Sequence, residues 1–272
     1  MLCYSTGSLP DALSFSEIIN LLSPTPFRGV ELVVTPEMLK HAGDGAYWRG
    51  VRSEFEAVGL VFRNVHMGAP YLMGPEPHRP GFSTLDAFGR ARKVEAAELS
   101  MAIATHLGSP HLTLTTGLPE SELTGGMQIE ALNTVLTNLI RKKNPQLIFL
   151  IEQEPEHVIR STEQLLALGR AFSGDVFVNF DVGHSEVMGE DIAACILRLG
   201  PLLRNIHLED IKDKVHAHKL YGDGDVDFAG IFKSLRAIDY RWDYTPDLYP
   251  FKNDPVNAMA ASLDFLSQYE VY

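Results

Sequence analysis

The stretch Leu147-Ile148-Phe149-Leu150-Ile151-Glu152 sets an unbroken apolar run against a terminal carboxylate. Five apolar residues without alternation suit a strand buried on both faces, as in a parallel sheet covered by helices. Glu152 at its end is costly to bury unless it is paired with a cation or bound to a metal. Outward from this run, short apolar or β-branched segments alternate with amphipathic ones, the βα signature. Strands are expected at Leu2–Ser5, Gly29–Val34, Val61–His66, His111–Thr115, Leu147–Ile151, Val176–Phe180, Arg204–Leu208 and near Trp242–Asp247. Helices are expected at residues 11–22, 47–58, 87–107, 129–142, 161–172, 191–199, 228–237 and 255–269. Ser83-Thr84-Leu85-Asp86 resembles a capping box, and Gly108 suits the end of the helix that follows. Before them, Met67–Pro80 is a Pro- and Gly-rich excursion of the kind that forms functional lids or disordered segments.

Eight strands alternating with helices define an α/β fold, a single (β/α)8 TIM barrel spanning residues 1–272. An open doubly wound sheet is the competing arrangement. No Gly-x-Gly-x-x-Gly follows the first strand, which argues against it. Polar residues end many of the strands: His66, Glu152, Asp181, His207 and Asp247. Barrel enzymes build their sites at those C-terminal strand ends.

Composition narrows the partners. Net charge is −12, which opposes unaided binding to phosphate backbones, so nucleic acid is not an expected partner and a small-molecule substrate is. Cys3 and Cys195 make no disulfide framework, and a reducing cytoplasm is the expected compartment. The first residues carry neither a basic nor a long apolar region, so no signal peptide is read there. No apolar run approaches a membrane span, and no membrane partner is expected.

The chemistry concentrates after the seventh strand. Residues 205–227 read Asn-Ile-His-Leu-Glu-Asp-Ile-Lys-Asp-Lys-Val-His-Ala-His-Lys-Leu-Tyr-Gly-Asp-Gly-Asp-Val-Asp. Histidine and carboxylate together are the ligand set of a borderline divalent metal. His207 is a candidate ligand. Asp210 is either a ligand or the residue that orients a ligand histidine. His216 and His218, two apart in an extended segment, face the same way. Asn179-Phe180-Asp181-Val182-Gly183-His184 reads as a strand end, a tight turn and an imidazole opening the next loop. Each motif has a bland counterpart: an ion pair for Glu152, a solvated turn for Asp181, a satisfied core histidine for His207, a Pro-Asp turn for Asp247. Glu154 and Glu156 read as loop acids.

Ile151-Glu152-Gln153-Glu154-Pro155, Phe180-Asp181-Val182-Gly183-His184, Ile206-His207-Leu208-Glu209-Asp210 and His218 before Gly222-Asp223-Gly224 together resemble the xylose-isomerase-like TIM-barrel superfamily. Ketose 3-epimerases, hydroxypyruvate-isomerase-like and inositol-catabolism enzymes, dehydroshikimate dehydratase and endonuclease IV belong to it. The resemblance implies a divalent ion (Mn, Zn, Mg, Co or Fe) on Glu152, Asp181, His207 and Asp247. It implies that Glu152 and Asp247 exchange the proton. An aspartate at the last place departs from the family's glutamate, which puts that role of Asp247 in question. His66, His184, His216 and His218 would serve a second metal or the substrate. The strand-four histidine of endonuclease IV is absent, its place held by Leu114-Thr115-Thr116-Gly117. The function so implied is a metal-dependent isomerase or epimerase of a small sugar or keto acid, acting through proton abstraction next to a carbonyl and a metal-stabilised enediolate. A multi-metal phosphoester hydrolase and a non-catalytic metabolite-binding barrel are the alternatives. Many members self-associate, so a homo-oligomer is expected by analogy.

Overall fold

A computed structural model describes residues 1–269 and 271. Eight parallel strands form one sheet in sequential order: β1 (Cys3–Ser5), β2 (Gly29–Val33), β3 (Val61–Met67), β4 (His111–Thr115), β5 (Ile148–Glu152), β6 (Val176–Asp181), β7 (Leu203–Leu208) and, last in the ring, β10 (Asp243–Pro246). A parallel bridge between Leu2 and Tyr244 brings the last strand back to the first, with Tyr244 N–H donating to the Met1 carbonyl at 2.9 Å. The fold is therefore the α/β TIM barrel that the alternation of elements predicts.

Helices run outside the sheet: α1 (Phe15–Leu22), α2 (Pro36–Lys40), α3 (Gly45–Ala57), α4 (Ala87–Leu107), α5 (Gly125–Lys142), α6 (Thr162–Ala171), α7 (Val182–Met188), α8 (Ile192–Leu199), α9 (Phe228–Ala237) and α10 (Pro255–Ser267). Most begin on a Ser, Thr or Asp whose side chain accepts a free N–H of the first turn. Ser14 and Glu17 form a reciprocal capping box on α1. On α4 the expected box is corrected: Asp86 alone is the cap, accepting from Phe88 and Gly89. Ser83 and Thr84 are buried and spend their hydroxyls on Gln128 and Glu120. Gly108, at φ 69°, ends α4 in the left-handed region that glycine enters without cost.

The short helix α2, the helix α7 and the hairpin after β7 are not read from the sequence. The apparent turn after β6 is the start of α7, because Asp181 caps it by accepting from His184 N–H at 2.7 Å. The charged stretch after β7 is an antiparallel hairpin, β8 (Asp210–Lys212) with β9 (Val215–Lys219), which forms its own two-stranded sheet. Asp213 and Lys214 make its turn at positive φ.

The main apolar core lies between the sheet and the helices, built on side chains such as Leu32, Val65, Leu112, Phe149, Val178 and Ile206. The barrel interior is different. Glu31, Asn64, Thr113, Asn205 and Thr245 form a buried, hydrogen-bonded polar layer across it. The excursion after β3 is tied down: Phe82 N–H donates to the Thr116 carbonyl at 3.1 Å, and Arg79 pairs with Glu120 at 3.1 Å. Leu72 and Phe82 anchor it in the core. Among the described residues no helix is long and apolar enough to cross a membrane.

Candidate metal centre

Glu152, Asp181, His207 and Asp247 come from β5, β6, β7 and the residue after β10, all at the C-terminal end of the barrel. His207 Nδ1 lies 3.0 Å from Glu152 Oε1, 3.7 Å from Asp181 Oδ2 and 3.9 Å from Asp247 Oδ2. His207 is fixed from behind. Its Nε2 is 2.9 Å from Glu31 Oε2, on the opposite side of the barrel. Burial pushes the Glu31 carboxyl up, but His207 outweighs it and holds the group below its usual value, so it is an acceptor. Burial pulls the His207 ring down, but Glu31 and Glu152 outweigh it and raise it well above its usual value. With Glu31 taking the Nε2–H, Nδ1 points at the three oxygens, where a bound cation would replace its proton. Neither Nδ1 nor Asp181 Oδ2 has a hydrogen-bond partner, and both are buried.

A ring nitrogen facing three carboxylate oxygens calls for positive charge between them, from a ring proton or from a metal ion. Ligands about 2.0–2.2 Å from a tetrahedral ion sit roughly 3.3–3.6 Å from one another, close to the spacings above. The residues present therefore fit a divalent metal. Glu31 had no assigned role in the sequence. Its signal was a lone acid inside Gly29–Val33, where every other residue is apolar or glycine.

The other carboxyls are set by their neighbours. Burial raises Glu152, but His66 and His207 outweigh it and hold it well below the usual range. His66 Nε2 is 2.5 Å from Glu152 Oε2. Burial raises Asp181, and His184 with other partners holds it well below its ordinary value. Glu209 is the second residue without an assigned role. Burial, followed by the charge of Asp181, pushes its carboxyl well up, so it keeps its proton. Its Oε1 accepts from Gly183 N–H at 2.7 Å, and a Cβ on Gly183 would fall 1.9 Å from that oxygen. Gly183 is thus a close-approach glycine at the first turn of α7. Burial raises Asp247, whose side chain is 20% exposed.

His184, His216 and His218 form a second group whose ligand-capable atoms lie within 4.8 Å of one another. His184 Nδ1 contacts the Gln153 carbonyl at 2.7 Å, and His218 Nδ1 contacts the Asp247 carbonyl at 2.9 Å. Carbonyls only accept, so both rings carry a hydrogen on Nδ1 and turn Nε2 away from these carbonyls. His216 Nε2 is 3.0 Å from His218 Nε2. Burial, with the His184 and His218 charges, holds His216 down to about 4. Asp210 is placed otherwise than the ligand or histidine-orienting role expected of it. Its two oxygens accept the backbone N–H groups of Ile211, Gly222, Gly224 and Val226, clamping the loop after the hairpin.

A closed eight-stranded barrel with polar groups converging at its C-terminal mouth defines the TIM-barrel class. Within it, the Xylose isomerase-like TIM barrel family matches residues 20–269, and the chain belongs to that family. Comparison with curated proteins gives no significant match. Among solved structures, the chain is similar to the IolI protein with a bound zinc atom at TM-score 0.82 and 15% identity, covering 100% of this chain and 99% of that one. D-psicose 3-epimerase in the presence of D-fructose gives TM-score 0.75 at 16% identity, covering 97% and 99%. The E. coli 3-keto-D-glucoside 4-epimerase gives 0.78 at 16% identity, covering 98% of each chain. At these identities the likeness establishes the fold.

Proposed function

We propose that this protein is a divalent-metal-dependent isomerase or epimerase of a small sugar or keto acid. The observation that carries the reading is the orphaned Nδ1 of His207 facing Glu152, Asp181 and Asp247. Those four residues would hold the cation, which when bound polarises a carbonyl as a Lewis acid. Glu31 holds the His207 ring and Glu209 holds Asp181. Glu152 removes the proton next to the carbonyl, and its second oxygen already rests against His66. Asp247 faces it across the centre and returns the proton to the other face or carbon. His184 positions a substrate hydroxyl. The names of the structural relatives, sugar epimerases and a zinc-bound IolI protein, agree with this chemistry.

A second reading draws on the three-imidazole group, whose converging ring nitrogens suit further metal ions and a phosphoester hydrolase. Two measurements separate them. Elemental analysis of the purified protein should give one metal per chain. Solvent deuterium should enter next to the carbonyl of at least one member of a ketose and keto-acid panel. Glu152→Gln should slow that exchange by about 10²–10⁴-fold. Two or three metals per chain, with phosphoester cleavage and no exchange, would overturn the isomerase reading.

A further inference from the structure

One corner of the barrel mouth holds groups that proton transfer leaves unused. Lys93, on the inner side of α4, is 4% exposed. Its amine lies 5.3 Å from the centre of the Phe82 ring and makes no hydrogen bond or ion pair among the described residues. Burial pushes it down to about 8, with Glu154 pulling the other way, so it remains mostly an ammonium at neutral pH. Glu154 faces the same corner but does not come within 4 Å of the amine. A buried ammonium beside an aromatic ring with no carboxylate within 4 Å is poorly compensated.

His157 stands beside it. Its Nδ1 accepts the Gly117 N–H at 3.3 Å. Burial, then the charges of His78 and Lys93, keep the ring neutral. A neutral imidazole that accepts at Nδ1 carries its hydrogen on Nε2. That Nε2 is buried and has no partner. His78, from the excursion after β3, packs edge-on against His157 with ring centres 4.6 Å apart. His78, Glu154 and His157 have metal-like spacing. The tautomer argues otherwise: His157 Nε2 offers a hydrogen rather than a lone pair, and the Lys93 charge opposes a second cation. Two buried donors that reach no acceptor at hydrogen-bond distance among the described residues, Glu154 included, match an oxyanion. The charges of Glu152 and His184 act on both His78 and His157, so this corner lies near the metal centre.

We propose that Lys93 Nζ and His157 Nε2–H form an oxyanion subsite covered by His78, and that the substrate carries a carboxylate or phosphate on the end away from its reacting carbon. The substrate half of this statement rests on the isomerase reading above. The site itself is tested by titrating inorganic phosphate and malonate separately into wild-type, Lys93→Met and His157→Phe proteins by calorimetry. All three retain the Glu152, Asp181, His207 and Asp247 centre, so anion bound there cancels in the comparison. Loss of one charge-assisted hydrogen bond should weaken binding about tenfold or more in Lys93→Met. A larger loss for phosphate assigns the subsite to phosphate esters, and a larger loss for malonate assigns it to sugar acids. Urea unfolding checks that Lys93→Met folds, and His157→Phe, which keeps the ring and removes the N–H, decides if it does not. Wild-type affinity for both probes in the folded variants would overturn the subsite. If anion binding falls in these variants while no carbonyl compound exchanges deuterium, the isomerase reading fails and the subsite stands. Exchange that persists with anion binding unchanged sinks the subsite alone.

Discussion

Replacing Glu31 by Gln alters no residue of the proposed metal set, yet it should weaken metal binding. Glu31 Oε2 accepts from Asn64 Nδ2 at 2.7 Å, His207 Nε2 at 2.9 Å and Asn205 Nδ2 at 3.3 Å. Glutamine keeps the shape and one carbonyl oxygen but loses the charge. Hydrogen bonds to a charged acceptor contribute about 1.5–3 kcal/mol, against about 0.5–1.5 kcal/mol for neutral pairs. The His207 bond alone then loses about 1–1.5 kcal/mol, or roughly tenfold in affinity. Changes behind metal-ligating histidines commonly cost about 10–100-fold. Zinc affinity, measured by competition with a chromophoric chelator, should therefore fall by about one order of magnitude in Glu31→Gln. The exposed Glu37→Gln should match wild type. A folded Glu31→Gln protein that binds zinc within about twofold of wild type would refute the placement of the metal on His207 Nδ1.

Two further outcomes follow from the packing. Gly183→Ala places a methyl 1.9 Å from Glu209 Oε1, so urea unfolding should show a loss of about 1–3 kcal/mol; wild-type stability would contradict the close approach. His111 is 1% exposed, and burial, then Arg63 and Arg204, hold it down to about 3. Its unfolded form titrates near 6.5, so below that pH the unfolded chain takes up a proton that the native ring refuses. Stability is lost as pH falls, by about 2 kcal/mol at pH 5 from this residue. His111→Gln should lose correspondingly less between pH 7 and pH 5 in parallel urea titrations, and identical pH profiles would refute the assignment.

The barrel was legible because its signal is local. Five apolar residues before Glu152 and similar runs elsewhere give strands, and their spacing leaves room for helices. Strand ends shifted by about one residue: Glu152 and Asp181 belong to β5 and β6, and Trp242 and Asp247 lie outside β10. The convergence of Glu152, Asp181, His207 and Asp247 follows from a fold that gathers strand ends at one mouth. What the sequence concealed depends on distant partners. Glu31 acquires meaning only from His207, 176 residues later. Glu209 sits one residue past a strand and looks like any loop acid until the barrel folds it against Gly183 and Asp181. The helix α7 was hidden because Asp181 serves twice, its Oδ1 capping the helix and its Oδ2 facing the centre. Local patterning sees only a turn-forming Asp and Gly. Asp210 misled for a related reason: a carboxylate beside a candidate ligand looks functional, whereas four backbone N–H groups claim it.

The hairpin of β8 and β9 is an appendage. It is inserted between the last two strands of the ring and shares no ladder with them, yet it carries His216 and His218. The clamp by Asp210, the His218 contact to the Asp247 carbonyl and the Tyr221 hydroxyl on the Leu208 carbonyl together set its return path. The hairpin is therefore separate from the strand ladders that hold Glu152, Asp181, His207 and Glu31 in register, and its imidazoles lie on β9 rather than on its turn. Changing β9 replaces two of the three imidazoles around His184 and leaves the strand-end centre of Glu152, Asp181 and His207 in place.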